Sequence, residues 1–306
     1  MINKKRKLFL AIVGIILIVG IVSAALFAYK KSTEPIPSLH CNLHEAAVLA
    51  QAADFLQLET EKTTLKKKLA IIEKRLEISS LDFNELVFYL TICQKLDLEI
   101  DDNAIEKLAC KFYNENEQLF SVFLEGGDDL PVDLSSTMSL VKIYPTTLNW
   151  KEFALQEGVA NAIKNVEYSM PSEGKNFYNA GGAALDAIYT LRQLFNIDYA
   201  HLLPTNIYDW YQAWKSHFEE SDFSYLSFTG FYPTALVIEG VYPLTDLQNY
   251  YESLTPEMAN VTHANNVLLA LQYLPLVDVE KNPTYYDTFK ASVIRMIDEH
   301  QFVKDH

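Results

Sequence analysis

The sequence predicts an all-α protein: one apolar membrane span followed by six helical hairpins. Three observations carry this. Residues 8–28 are uncharged and almost wholly apolar. Apolar residues in the remainder recur with helical rather than strand spacing, and glycine and proline are few, at 10 and 11 in 306 residues. An apolar stretch closed by a polar residue returns six times.

The span reads LFLAIVGIILIVGIVSAALFA, with Ser23 its polar side chain. At ~1.5 Å per residue it reaches about 30 Å, the thickness of a bilayer's hydrocarbon core. Lys4, Lys5, Arg6 and Lys7 precede it, and Lys30 and Lys31 follow. The larger basic cluster is expected on the cytoplasmic side, which places the remainder of the chain outside the cytoplasm in the cell membrane. The competing reading is a signal peptide cleaved near Ala24, but the apolar run continues past that site. Residues 1–31 are thus read as a basic tail and signal-anchor, 32–39 as a linker (residues 32–38 are STEPIPS), and 40–306 as one extracytoplasmic domain.

Six of the 25 lysines and arginines lie in residues 1–31, and none of the 40 acidic residues do. The domain therefore carries 19 basic against 40 acidic side chains, formally −21. Such a surface repels nucleic acid and anionic headgroups, and it also suffices simply to keep a domain soluble. The three cysteines, Cys41, Cys93 and Cys110, make no disulfide framework. Cys93 and Cys110 lie on apolar helical faces, and a bridge between them is left open.

In residues 60–78, Leu65, Leu69, Ile72 and Leu76 form one apolar stripe among Lys and Glu. The six recurring segments are residues 47–59, 85–101, 137–149, 184–198, 234–246 and 266–278. Each is followed by a more polar amphipathic helix, with stripes such as Ile105, Leu108, Phe112; Ile207, Trp210, Tyr211, Trp214; and Tyr286, Phe289, Val293, Met296, Ile297. Asp101, Asn149, Asp198 and Asp246 stand where the second helix should begin, so they read as N-caps rather than catalysts.

Six hairpins with apolar first helices and amphipathic second helices resemble the α/α toroid of the terpenoid cyclase and protein prenyltransferase families. The segments FNELVFYL (83–90) and GGAALDAIYTL (181–191) look like their repeat. The likeness covers residues 40–302 as a pattern. It implies an inner barrel of first helices within an outer ring of second helices; an open α-solenoid is the alternative. The families' specific signatures are missing. No Gln-x-x-x-Gly-x-Trp repeat occurs, and the nearest match to an Asp-x-Asp-Asp acid motif is Glu99-Ile-Asp101-Asp102. Asp128 and Asp129 read as a loop.

In such a toroid the first helices present their N-terminal ends at one mouth. The residues expected there are His44, Glu45, Asp82, Asn84, Glu85, Thr137, Asn179, Tyr232, Thr234, His263 and Asn266, with Cys41, Ser136 and Asn265 beside them. Prenyltransferases hold zinc with Asp, Cys and His at comparable ends. Their Asp-x-Cys pair is absent here, so no cofactor is expected; were zinc bound, Cys41, His44 and His263 would be its ligands. Asp82, Glu85 and Asp186 are the carboxylates to inspect for glycoside chemistry. The aromatic run 223–234 could line a mouth or simply pack, and Asn260-Val-Thr262 matches a glycosylation sequon. The expected function is a membrane-anchored binding or scaffold module for a peptide, glycan or lipid-like ligand. The alternative is a toroid-class enzyme acting on a polysaccharide or isoprenoid.

Overall fold

The computed structural model describes residues 39–73, 76–122, 129–172, 177–219 and 244–300. All but Leu39 belong to one compact unit, His40–His306. The proposed span at residues 8–28 lies outside them, as do the aromatic run 223–234 and the recurring segment 234–246 up to residue 243. Among the described residues no helix is long and apolar enough to cross a membrane.

Twelve α-helices make up the described chain: α1 (Leu39–Phe55), α2 (Glu59–Glu73), α3 (Phe83–Lys95), α4 (Asp102–Ala109), α5 (Leu130–Ile143), α6 (Leu155–Asn165), α7 (Gly182–Phe195), α8 (Ile207–Glu219), α9 (Leu244–Ser253), α10 (Pro256–Ala259), α11 (Ala264–Tyr273) and α12 (Pro283–Glu299). The all-α expectation holds at this level. Hairpins α1–α2, α3–α4, α5–α6, α7–α8 and α11–α12 fall on five of the six recurring segments. The first helices are the more buried: in α1, residues Leu43, Ala46 to Ala50, Ala52 and Ala53 are all buried. The second helices bury one stripe each, including Ile105 and Leu108 on α4, Trp210, Tyr211 and Trp214 on α8, and Phe289, Val293 and Ile297 on α12. Helix α2 ends before Leu76, so the expected stripe is shorter, with Leu65 and Leu69 buried.

Three first helices stop at a polar residue in the left-handed region, ahead of the residues expected to cap the next helix. In α1, Gln57 takes a left-handed φ of 55°, and Leu58 N–H returns to Ala53 O at 2.8 Å. In α3, Asp97 has φ 50° and Leu98 N–H returns to Cys93 O at 2.9 Å. Helix α7 stops in a related way at Asn196, φ 55°, followed by Ile197. These are Schellman-type stops, in which the polar residue turns the chain and the following apolar residue folds back. Helix α5 is halted instead by Pro145, and α11 by Pro275. Of the four expected N-caps, Asp101 caps α4, accepting from Ala104 N–H at 3.2 Å. Asn149 ends a 3-10 turn six residues before α6. Asp198 accepts from Ala200 N–H and pairs with Arg192, and Asp246 lies inside α9.

One strand element was not expected. A hairpin, β1 (Tyr113–Asn114) with β2 (Leu119–Phe120), pairs Tyr113 with Phe120 and Asn114 with Leu119. Thr137 on α5 clamps it: its hydroxyl accepts from Phe120 N–H at 2.8 Å and donates to Phe120 O at 3.4 Å. Gly158 on α6 lets the helix touch the hairpin; a Cβ there would stand 2.1 Å from Gln118 O. Phe83, Phe112, Phe120 and Phe153 fill the space around it.

Helix α5 packs against α3 on one side and α7 on the other, and α12 packs against α2. At this last contact Lys68 of α2 donates to three carbonyls at the end of α12: Ile297 O at 2.5 Å, Asp298 O at 2.7 Å and His300 O at 3.0 Å. A lysine is well suited to the unsatisfied carbonyls of a helix C-terminus. Glu45 of α1 meets His300 Nδ1 at 3.1 Å beside it. Burial lowers the His300 pKa, Glu45 raises it, and Lys68 adds to the lowering. Cys93 is buried and Cys110 is exposed, and no bridge joins the two.

Candidate functional site

The first turns of α3 and α5 and the short 3-10 turn Tyr178–Ala180 border a cleft of about 300 Å³. Phe83, Asn84, Val87 and Phe88 come from α3. Pro131, Val132, Ser135, Ser136 and Ser139 come from α5, and Asn179 from the turn before α7.

Local sequence fixes each wall. Asp82 and Glu85 form a capping box at the start of α3: Asp82 Oδ1 accepts from Glu85 N–H at 2.8 Å, and Glu85 Oε2 accepts from Asp82 N–H at 3.0 Å. This sets Asn84 in the first turn, with Phe88 one turn on. Phe83 is anchored edge-on to Phe112, with ring centroids 5.6 Å apart. Helix α5 starts from Asp129, whose side chain accepts from Val132 N–H, and Pro131 stands at its second position. Residues 131, 132, 135, 136 and 139 then share one face by helical spacing. Before α7, Gly181 adopts φ 110°, and a Cβ there would strike the Tyr168 ring at 2.5 Å.

Two hydroxyls of the cleft already donate. Ser136 Oγ donates to Val132 O, and Ser139 Oγ to Ser135 O, both at 2.8 Å. Each donor is held by its own helix, while the oxygen keeps lone pairs for an incoming donor. Among the described residues, those that line the cleft carry no ionisable side chain. Behind it, the His44 ring of α1 packs on Phe88 with centroids 5.0 Å apart and planes tilted 59°.

Of the residues expected at the mouth, Asn84 and Asn179 line this cleft, and so does Ser136; His44 reaches it through Phe88. Asp82 and Glu85 are engaged with each other's backbone. Glu45 faces His300. Thr137 is fully buried against the hairpin rather than at a mouth, because α5 begins seven residues before it. His263 and Asn266 are exposed at the start of α11. Tyr232 and Thr234 lie outside the described residues, and the Cys41 side chain is likewise undescribed. Asp186 pairs with Lys142 at 2.7 Å. Among the described residues no three His, Cys, Asp or Glu side chains gather as a metal requires. In the Glu99-Ile-Asp101-Asp102 segment, Asp101 caps α4 and Asp102 accepts from the Tyr144 hydroxyl. Burial, with Asp102 adding to it, pushes the Tyr144 pKa up to about 12.

Sequence reasoning missed Phe88, Ser135 and Ser139. The signal for the two serines is the small-residue spacing of LSSTMSL, on a helix that starts earlier than the recurring segment 137–149 suggests. It also missed Asp133, which is fully buried on α5 beside the cleft face. Neither of its oxygens has a partner in hydrogen-bond geometry. Burial raises its pKa, Ser121 lies close enough to oppose the rise, and Glu117 and Asp129 add to it. Comparison with family models, curated proteins and solved structures returns no significant match.

Proposed function

We propose that the chain is a membrane-anchored, extracytoplasmic binding module whose ligand occupies the cleft between α3, α5 and Asn179. The observation that carries this is the cleft itself: three consecutive hairpins contribute to one concavity, and its walls combine aromatic faces with amide and hydroxyl groups. The apolar residues 8–28, with the basic cluster before them, support the anchor and its orientation. A closed α/α toroid, rather than an open solenoid, is supported by the seating of α12 on α2 and by the Lys68 and Glu45 contacts at the end of α12. In a closed ring the cleft belongs to the mouth formed by first-helix N-termini. Binding is favoured over chemistry here because Asp82, Glu85 and Asp186 are committed to capping and ion pairing.

Affinity purification of the full-length chain from its host's membranes, followed by protein, glycan and lipid mass spectrometry, tests this. The wild-type chain should recover a component that a Ser135→Trp chain, with its cleft filled, does not. Equal recovery by both, or recovery of nothing, would overturn the proposal.

A further inference from the structure

We infer that Asp133 is a proton-operated latch: its carboxyl is neutral while the β-hairpin sits on α5, and its ionisation unseats the hairpin. The inference stands apart from what the cleft binds. Asp133 and Thr137 are four residues apart on α5 and share the face that meets the hairpin. Thr137 clamps Phe120 there, and Asp133 lies close to Ser121, the next residue of the chain. The Asp133 side chain is fully buried, and neither of its oxygens has a partner in hydrogen-bond geometry. A carboxylate in that state is strongly unfavourable, whereas a neutral carboxyl loses far less on leaving water. The side chain is short. Its ionised form therefore gains water only if the hairpin or the first turn of α5 moves away.

The surrounding charges oppose ionisation. Glu117 in the hairpin turn and Asp129 at the start of α5 are both acidic. Residues 123–128, between β2 and α5, read FLEGGD and contain no base. Among the described residues, bases on the hairpin's approach and on the elements packed against α5 are engaged elsewhere. Lys111 ahead of β1 donates to Ser79 O, Lys95 of α3 pairs with Asp54, Lys142 of α5 with Asp186, and Arg192 of α7 with Asp198. Lys164 stands exposed in the last turn of α6. The N-terminal end of α5 favours a negative charge, but Asp129 already supplies one, accepting from Val132 N–H at 3.4 Å. Burial accordingly raises the Asp133 pKa, with Ser121 opposing and Glu117 and Asp129 adding. The seated hairpin is then favoured most below the ordinary carboxylate range, and less as pH rises through that range towards the folded value. Pro131 and Val132 of the cleft wall directly precede Asp133, so the same proton bears on the cleft.

The test is amide hydrogen exchange of the full-length chain in phosphatidylcholine nanodiscs between about pH 4 and about pH 7, with each rate corrected for the chemical exchange rate at that pH. The readout is the opening constant at Phe120 and Ser121, whose N–H groups donate to Thr137 Oγ1 and Phe112 O, both at 2.8 Å. Loss of one proton on opening limits the rise to about tenfold per pH unit, and a total rise of about tenfold or more is expected in the wild type. In Asp133→Asn, which cannot ionise, the same amides should stay within about twofold across the range, as should the amides of α8 in the wild type. A flat wild-type profile at Phe120 and Ser121 overturns the latch, and it does so whether or not the variant folds. So does an equal rise in Asp133→Asn, which assigns the proton to another group. An equal rise in α8 also overturns it, because the proton then acts on the whole domain rather than on the hairpin.

Discussion

Lys68→Met removes the ammonium that joins the first hairpin to the last helix. Lys68 Nζ makes three hydrogen bonds to carbonyls at the end of α12, at 2.5, 2.7 and 3.0 Å. A hydrogen bond to a charged group contributes about 1.5–3 kcal/mol, but three that share one donor group do not add, and the site is only partly buried. Water also reaches part of this region and will solvate some of the freed carbonyls. A net loss of about 2 kcal/mol is therefore expected. Methionine keeps the apolar stem that packs along α2, so the loss reports the ammonium rather than the chain. For a domain of this size, with a urea m-value of about 2–3 kcal/mol/M, the unfolding midpoint should fall by about 0.7–1 M. Lys68→Arg should lose less, since it retains the charge and several donors. A Lys68→Met midpoint within about 0.2 M of wild type would show that this contact does not hold the last helix to the first hairpin.

Gly158→Ala sets two effects against each other. Alanine improves the helix by about 1 kcal/mol, but its Cβ would lie 2.1 Å from Gln118 O and 2.7 Å from Gln118 C, backbone atoms of the hairpin. Overpacking of this kind outweighs the gain, so the thermal midpoint should drop by about 4–8 °C; a rise would refute the close approach. Asp133 governs a pH dependence. Its folded pKa is raised by burial, with Glu117 and Asp129 adding and Ser121 opposing. Its contribution is most favourable below the unfolded value and declines as pH rises through that value towards the folded one. Urea midpoints between about pH 4 and about pH 7 should therefore fall less steeply with pH in Asp133→Asn than in wild type. Parallel profiles would contradict the assignment.

The helices were legible because each buries a stripe at helical spacing, and stripes such as Trp210, Tyr211, Trp214 survive any error in boundaries. The boundaries were less so. The segment GGDDLP read as a turn, yet Asp129 caps a helix that carries Pro131 in its first turn, where a missing N–H does no harm. That shift moved Thr137 from the mouth into the core and brought Ser135 and Ser139 into the cleft. The recurring polar residues Asp101, Asn149, Asp198 and Asp246 read as N-caps, and of these Asp101 caps a helix. The stops themselves fall on other residues, Gln57, Asp97 and Asn196, whose left-handed φ depends on the apolar residue that follows, a pairing of both positions that one residue type does not reveal. The hairpin at Tyr113 and Phe120 could not be read, since two-residue strands carry no alternation. Asn84 and Asn179 were legible because a helix start and a glycine turn are marked locally.

The most direct measurement is photo-crosslinking of the full-length chain in its host cells, with a benzophenone amino acid replacing Ser135 or Asn84 in the cleft and Tyr208, an exposed position on α8, as control. The account predicts a discrete adduct from both cleft positions and none from Tyr208. No adduct from the cleft, or the same adducts from Tyr208, would contradict it.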